Sequence, residues 1–385
     1  MKKFLLVVIL ILIFSLNFKV NIVNASSKNL DETINGILNG INDSEFQDIN
    51  KTIDSIFLDN LSFKDRVIKF LTGELNLSFD SVLSYLKGIV LLRVNYVVKI
   101  LCYLLFLGIF SFISNIIISK NYDNTENNIV FYICYILAVL IITKLILELF
   151  NLTYNTLKDI SNKTEIFFPI MFSISSLCGN FGVSIYKPLT GFVAFFSSSL
   201  TKNYILPLLM FGYVITIISG VNDNIKLSNF GKSIFSLFKW VIGFIVVIYT
   251  VFISIQGVSN SAYNGISVKI LKYTTGSMIP IVGGFLSSGM DLLLSSAILV
   301  KNSVGLMAVI YMLISVVGCG VNLLITSFVF KFGSTICESI LDKKYFNLLN
   351  NVCDLIKNLS VLVFLSGYMY FITVLGFIFS TISVI

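Results

Sequence analysis

The sequence contains no histidine and few charged residues, and both shortages narrow what the protein can do. Only 12% of its 385 residues are charged, against ~25% in a typical soluble domain. Without histidine, Ser/His/Asp hydrolase centres, HExxH metalloproteases and the usual Cys/His zinc sites are excluded. A Gly-x-x-x-x-Gly-Lys phosphate-binding loop is also missing. We therefore expect no catalytic centre, no metal and no cofactor, and we expect that the protein is not an enzyme.

The cysteines do not indicate a disulfide framework, and most of the chain is apolar. The six cysteines form no Cys-x-x-Cys pair, and none precedes Cys102. Hydrophobic residues make up 56% of the chain, and the mean hydropathy is +0.92. Lys and Arg are scattered singly between apolar runs, as in the flanks of membrane spans. This pattern predicts contact with membrane lipid and argues against a nucleic-acid partner, which requires clustered basic residues.

The N-terminus has the three parts of a signal peptide. Lys2 and Lys3 are followed by the apolar run Phe4–Phe14, and Ala25 ends a plausible cleavage site. We predict a signal peptide over residues 1–25; a retained anchor over Phe4–Ile22 is the alternative. Residues 26–90 form an exported region in which apolar residues recur at helical spacing, for example Val67, Phe70 and Leu71. Short amphipathic helices are expected there.

Residues 91–385 are predicted to form a polytopic membrane domain, so the fold class is an all-α transmembrane bundle. A bilayer core of ~30 Å requires about 20 helical residues. Six segments meet this requirement: Val97–Ser119, Ile129–Phe150, Tyr204–Val221, Ile234–Ile255, Val304–Phe330 and Ser360–Ile382. With a cleaved signal, Ser26 lies outside the cytoplasm and six spans return the C-terminus to that side. The basic residues of the loops show a weak bias that agrees with this orientation.

Two further apolar regions, Ile166–Leu200 and Ser277–Lys301, contain too many Pro, Gly and polar residues for ordinary spans. Each is either a pair of short helices or a re-entrant hairpin, or else a poor span packed by its neighbours. Irregular backbone at membrane depth is tolerated only inside protein or beside water. If the two regions are short helices or re-entrant hairpins, they would therefore line a transport path. Its predicted residues are Pro169, Lys187, Pro188, Pro280, Gly283, Gly284, Asp291 and Lys301.

These two regions also resemble each other, which suggests an internal repeat. Phe167–Met171 aligns with Met278–Val282 around a shared proline, and each region is followed by two clean spans. The repeated units would be residues 165–256 and 277–385. Transporters are often built from such repeats, with broken helices at the binding site.

Charged residues inside spans are costly and invite functional hypotheses. Lys144 and Glu148 lie four residues apart in the second span, so we predict that they share a helix face and neutralise each other. Asp291 follows a Gly-rich segment. It either lines a polar cavity or caps a half-helix.

From Ser254 onward the sequence resembles the stage III sporulation protein AE family of endospore-forming bacteria. The specific matches are Ser254–Gly257, Ser261–Ala262, Thr275–Gly276, Ile279–Ile281 and Ser295–Gly305. The order of parts also agrees along the whole chain: a signal sequence, a short exported helical region and a polytopic domain.

The resemblance implies a setting in the mother-cell membrane that surrounds the forespore. Members of the family belong to a channel complex, or feeding apparatus, that supports late gene expression in the forespore. The implied partners are other proteins of the same operon, including a secretion-type ATPase and ring-forming proteins, and a forespore channel protein. Two hypotheses follow: a permease or export-gate-like transport subunit, or a membrane scaffold that transports nothing.

Overall fold

We analysed a computed structural model of the full chain. It describes residue 36 and residues 61–72, 79–119, 126–177, 186–221, 229–231, 233–252, 282–341 and 343–379. The predicted signal peptide and Pro280 lie outside these residues. Every regular element in the described ranges is a helix.

The helices follow one another without an intervening sheet. They are α1 (Phe63–Leu71), α2 (Phe79–Ser119), α3 (Glu126–Leu177), α4 (Tyr186–Leu200), α5 (Leu206–Val221), α6 (Asn229–Phe252), α7 (Val282–Ile340) and α8 (Lys343–Phe379). A π-helical turn, Thr201–Ile205, joins α4 to α5. Six helical segments in the described ranges are long and apolar enough to cross a membrane, with α4 and α5 counted together. The predicted all-α polytopic bundle is confirmed.

Several helices are much longer than a bilayer is thick. The 52 residues of α3 and the 59 residues of α7 extend for about 78 Å and about 88 Å at 1.5 Å per residue. A hydrocarbon core is ~30 Å thick. Each of these helices therefore continues well beyond its apolar span, and hydropathy alone did not reveal these continuations.

The long helices are arranged around the antiparallel pair α7 and α8. Lys331 of α7 donates to Asn350 of α8 at 2.9 Å, and Lys301, 30 residues earlier in α7, reaches Ile378 near the end of α8. Helix α2 runs parallel to α7, since Arg93 bonds to Thr326 and Leu101 packs on Gly333. The end of α2, the start of α3 and the α7–α8 turn lie at one end of the bundle. There Gly108 contacts Leu341, and the rings of Tyr135 and Tyr345 lie 5.8 Å apart.

The interior of this bundle is filled by large side chains. Tyr135, Phe167, Phe238, Tyr311 and Phe330 are almost completely buried. Glycines let neighbouring helices approach closely: a Cβ at Gly320 would lie 2.4 Å from the Phe364 ring, and one at Gly333 would lie 2.2 Å from Leu101. Small residues at helix crossings are the usual means of close packing in membranes.

Of the two regions predicted to be broken, Ile166–Leu200 contains the end of α3 at Leu177 and the start of α4 at Tyr186, as the alternative of two helices predicted. The break is not at Pro169, and the described part of Ser277–Lys301 contains no break. Pro169 lies inside α3, which continues to Leu177, and α7 runs unbroken from Val282 through Gly283, Gly284, Asp291 and Lys301. Proline deprives the Glu165 carbonyl of its helical donor. Both residues are exposed, so water can take the donor's place. An interior glycine weakens a helix by only ~1 kcal/mol and does not by itself end it.

A further irregularity of the backbone is the π-turn before Pro207. Because Pro207 has no N–H and its ring clashes with the carbonyl four residues earlier, the turn widens, and the Leu206 N–H bonds to the Thr201 carbonyl. The proposed repeat stays a prediction. Its two units differ in helix continuity: α3 ends at Leu177 within the first broken region, whereas α7 continues from the second region through the clean span Val304–Phe330 that follows it.

Candidate functional site

One buried polar cluster, which we call the outer cluster, connects α1, α3 and α7. The Lys163 ammonium is 1% exposed; it donates to Asp159 at 2.6 Å, to the Tyr311 carbonyl at 3.3 Å and to the Ser315 hydroxyl. Arg66 of α1 donates to the Tyr311 hydroxyl at 3.2 Å. A buried charge is tolerated only when it is paired and hydrogen-bonded. Here one carboxylate and two oxygens of α7 meet that requirement.

The docking of α1 follows from its sequence. Ser62 caps the helix by accepting the Asp65 N–H at 3.1 Å, and Phe63, Arg66 and Val67 recur on one face and are buried. The Phe63 ring packs edge-on against Phe167, with centroids 5.7 Å apart. The N-terminal region therefore contacts the helical bundle of its own chain through α1.

A second cluster, the middle cluster, joins α2, α3 and α7. The Arg93 guanidinium donates from Nη1 to Glu148 at 2.6 Å and from Nε to Thr326 at 3.1 Å, and Tyr96 donates to the other Glu148 oxygen at 2.9 Å. Lys144 lies exposed on α3. The predicted pairing of Lys144 with Glu148 is therefore wrong, because the nearly buried Arg93 on the neighbouring helix provides a better partner than a flexible residue on the same helix.

Lys301, which was predicted to line a transport path, is buried in the structure and bonds to the end of α8. Its side chain is 0% exposed, and its ammonium donates to the carbonyls of Phe377 at 2.8 Å and Ile378 at 3.2 Å. These carbonyls belong to the last turn of α8, where helical acceptors lack intrahelical donors. A cation there is favourable to the helix dipole. Lys301 thus ties α7, at a point about a third of the way along this helix, to the end of α8.

Replacing Lys301 with Met is expected to fray the last turn of α8 and to lower stability by about 1–3 kcal/mol, because buried carbonyls lose their donor. Hydrogen exchange at Phe377–Phe379 should rise. Lys331→Met, which removes only an exposed bond to Asn350, is the matched control. Unchanged exchange at the end of α8 would show that Lys301 does not hold it.

The other predicted residues are not brought together with Lys301 in one site. Pro169 lies on the exposed side of α3, and Lys187 and Pro188 lie in the first turn of α4, where proline is well tolerated. Gly283, Gly284 and Asp291 lie in the N-terminal part of α7. Their assignment to a transport path stays a prediction. In the part of the chain that the structure describes, no three His, Cys, Asp or Glu side chains converge on a metal site.

The outer surface of α3 changes character at Asn151. Before that point its exposed residues are mainly aliphatic, including Ile129, Ile133, Ile136 and Leu140. After it, the exposed residues contain no aliphatic side chain other than the proline ring. We call them the α3 polar face: Asn151, Tyr154, Asn155, Lys158, Asn162, Glu165, Pro169, Ser173 and Ser176.

Large apolar residues are exposed at the same level of the bundle on α4 and α6. Thr373 of α8 shows that parts of α3 and α6 lie at the same height along the bundle. It lines a cavity of about 10 Å³ together with Thr164 of α3, and it contacts the Tyr249 hydroxyl of α6. Beside Tyr249, Val247 is 60% exposed. On α4, Gly191 packs against Phe168 of α3, and the neighbouring Phe192 is 61% exposed. One cross-section thus has a polar face and an apolar face.

Comparison with known proteins identifies the family of this chain. Residues 61–381 match the family model described as stage III sporulation protein AE. The chain belongs to this family. It is 22% identical over 283 residues to the stage III sporulation protein AE of Bacillus subtilis (strain 168), which covers 72% of this chain and 70% of the relative. No solved structure matches.

Membership of the stage III sporulation protein AE family assigns the protein a role in sporulation. Together with the six candidate spans, it identifies a multi-pass membrane protein. The family match begins two residues before α1 and ends two residues after α8. The helix α1, both polar clusters and the α3 polar face are therefore all parts of the family region.

Proposed function

We propose that this protein is a membrane subunit of the channel complex between mother cell and forespore, and that it forms part of a transport path. It would lie in the mother-cell membrane around the forespore, with its N-terminal region on the extracytoplasmic side. Its partners would be the secretion-type ATPase and ring-forming proteins of the same operon and the forespore channel protein. Family membership supports the sporulation setting.

The α3 polar face is the observation that carries the transport role. A path through the centre of one bundle is disfavoured by the interior, where Tyr311, Phe167 and Phe330 are packed and the charges of Lys163 and Arg93 are paired. A face of amides, hydroxyls and charges on the outside of the bundle can instead line a path between this chain and others. Ionisable residues within transmembrane segments often mark such pathways.

The second candidate is a scaffold without a path, and the packed interior favours it. The two functions differ in what they require of the α3 polar face. A transport path is narrowed by bulky side chains on that face, whereas a scaffold tolerates them as long as the complex still assembles.

The test replaces Asn155 and Asn162 together by Trp in sporulating cells. We expect late forespore reporter activity and spore yield to fall by more than an order of magnitude, while protein level and co-purification with the complex stay normal. The Gln double variant and Val247→Trp, on the apolar face at the same level, should sporulate normally. Normal spore yield in the Trp variant would favour the scaffold.

A further inference from the structure

We infer that the outer groove between α2 and α3 is a binding site for an anionic phospholipid, whose phosphate lies between Lys99 and Lys144. The acyl chains of this lipid lie along the apolar surface that the same two helices expose. The site is separate from the proposed transport path, because Lys144 precedes the α3 polar face. Two cations that neither polar cluster uses thereby receive a ligand.

Hydrogen bonding in the middle cluster determines where the two lysines lie. Tyr96 of α2 donates to Glu148 of α3 at 2.9 Å, and both side chains are partly exposed, so this bond marks the outer groove. Lys99 follows Tyr96 by three residues and shares its helix face. Lys144 precedes Glu148 by four residues and shares its face in turn. Because α2 and α3 are antiparallel, the two steps of about 4.5 Å and about 6 Å lead in the same direction. The lysines therefore flank the groove at nearly the same level.

The charges at this groove favour an anion. Lys99 and Lys144 are exposed, and neither has a carboxylate partner in the part of the chain that the structure describes. The Glu148 carboxylate beside them is already paired with Arg93 at 2.6 Å. These three cations and one carboxylate leave a net charge of +2. Basic sites between membrane helices bind anionic lipid headgroups in this way.

The apolar surface next to the lysines has the length that lipid requires. Within Tyr103–Ile117 of α2 and Ile129–Leu140 of α3, the exposed residues that the structure describes are all aromatic or aliphatic. From Lys99 to Ile117 the rise is about 27 Å, and from Lys144 to Ile129 it is about 22 Å, close to the ~30 Å of a hydrocarbon core. In the other direction α3 becomes polar at Asn151. Acyl chains are therefore accommodated only on the side that leads to the α7–α8 turn.

The pairing of the lysines is what distinguishes a binding site from ordinary contact with the membrane surface. A single lysine at the end of a span extends its ammonium to whatever headgroup is near. Two lysines at one level on neighbouring helices instead hold one phosphate from both sides. A zwitterionic headgroup brings its own cation to the groove, so an anionic headgroup is preferred.

Brominated lipids, which quench tryptophan fluorescence on contact, test the site in the full-length protein. The only Trp of the chain, Trp240, is exposed on α6 and reports on lipid away from the site. Tyr103→Trp in a Trp240→Phe background reports on lipid one turn from Lys99. The vesicles contain phosphatidylcholine and brominated phosphatidylglycerol. We expect phosphatidylglycerol to bind about fivefold more tightly than phosphatidylcholine at position 103, against a ratio of about one at Trp240.

Replacing Lys99 and Lys144 together with Gln is expected to lower the ratio at position 103 to that of Trp240. Lys87→Gln is the matched control, since Lys87 is exposed on the same helix 12 residues before Lys99, and it should leave the ratio unchanged. All three lysines are exposed, so the thermal unfolding temperature should be the same in every variant.

Four results would overturn the inference. A ratio near that of Trp240 with both lysines present would mean that the groove has no preference. A raised ratio at Trp240 as well would mean that the basic protein attracts phosphatidylglycerol over its whole surface. A ratio that survives the Gln double variant would remove the lysines from the site. Displacement of the lipid by soluble glycerol phosphate would mean that the groove recognises a free phosphate.

Discussion

Replacing Asp159 with Asn is expected to destabilise the bundle by about 3 kcal/mol, because Lys163 stays buried after losing its only ion-pair partner among the described residues. The remaining oxygens, the Tyr311 carbonyl and the Ser315 hydroxyl, are dipoles and do not replace a carboxylate. Thermal unfolding of the purified protein in detergent or nanodiscs would measure the change.

The matching rescue separates this charge effect from general damage. Adding Lys163→Met to Asp159→Asn removes the buried cation and keeps an apolar stem of similar length, so most of the lost stability should return. Ser315 can still donate to the Tyr311 carbonyl at 3.4 Å. Asp354→Asn is the control, since its pair with Lys357 is largely exposed and contributes at most ~1 kcal/mol. A double variant less stable than Asp159→Asn would contradict the account.

Replacing Phe63 with Ala is expected to release α1 from the bundle while the long helices stay folded. Removal of a buried Phe side chain costs ~3–5 kcal/mol, and a nine-residue helix does not hold its position without it. The loss should appear as local opening, because the other described contacts of this short helix are Arg66 on Tyr311, the buried Val67 and the half-buried Ile68 and Leu71. Limited proteolysis should cleave within residues 61–72 several-fold faster.

Lys69→Gln, on the last turn of the same helix, is the control for this experiment and should leave the cleavage rate unchanged. Arg66→Met should produce an intermediate rate, because Phe63 still packs on Phe167. If Phe63→Ala is cleaved no faster than the unaltered protein, α1 is held by contacts other than the ring cluster.

The sequence was sufficient to predict the fold class, the number of spans and a helix that contains Val67 and Phe70, because these depend on apolar length and periodicity. It was insufficient for the true helix lengths. The segment that follows Phe150 is polar on its outer side, so hydropathy ends the span there, whereas the backbone continues as α3 to Leu177. The prediction gave Pro169 too much weight as a helix breaker. The helix continues through Pro169 because an exposed position tolerates the missing backbone hydrogen bond.

The polar clusters were less accessible to prediction. The Asp159–Lys163 pair has the i,i+4 spacing that signals a helix ion pair, and that signal was available. The Arg93–Glu148 pair joins residues 55 positions apart on different helices. No local pattern indicates it, so Lys144 was preferred as the nearer cation. The role of Lys301 likewise depends on the end of α8, 76 residues further along the chain.

A cryo-electron microscopy map of the complex purified from sporulating cells in lipid nanodiscs would test the central claim most directly. We predict a solvent-filled lumen between this chain and its partners, with Asn155 and Asn162 facing the lumen, Val247 facing away from it and the interior around Tyr311 packed. A lumen that runs through the bundle between α3, α7 and α8, or lipid density against Asn155 and Asn162, would contradict the account.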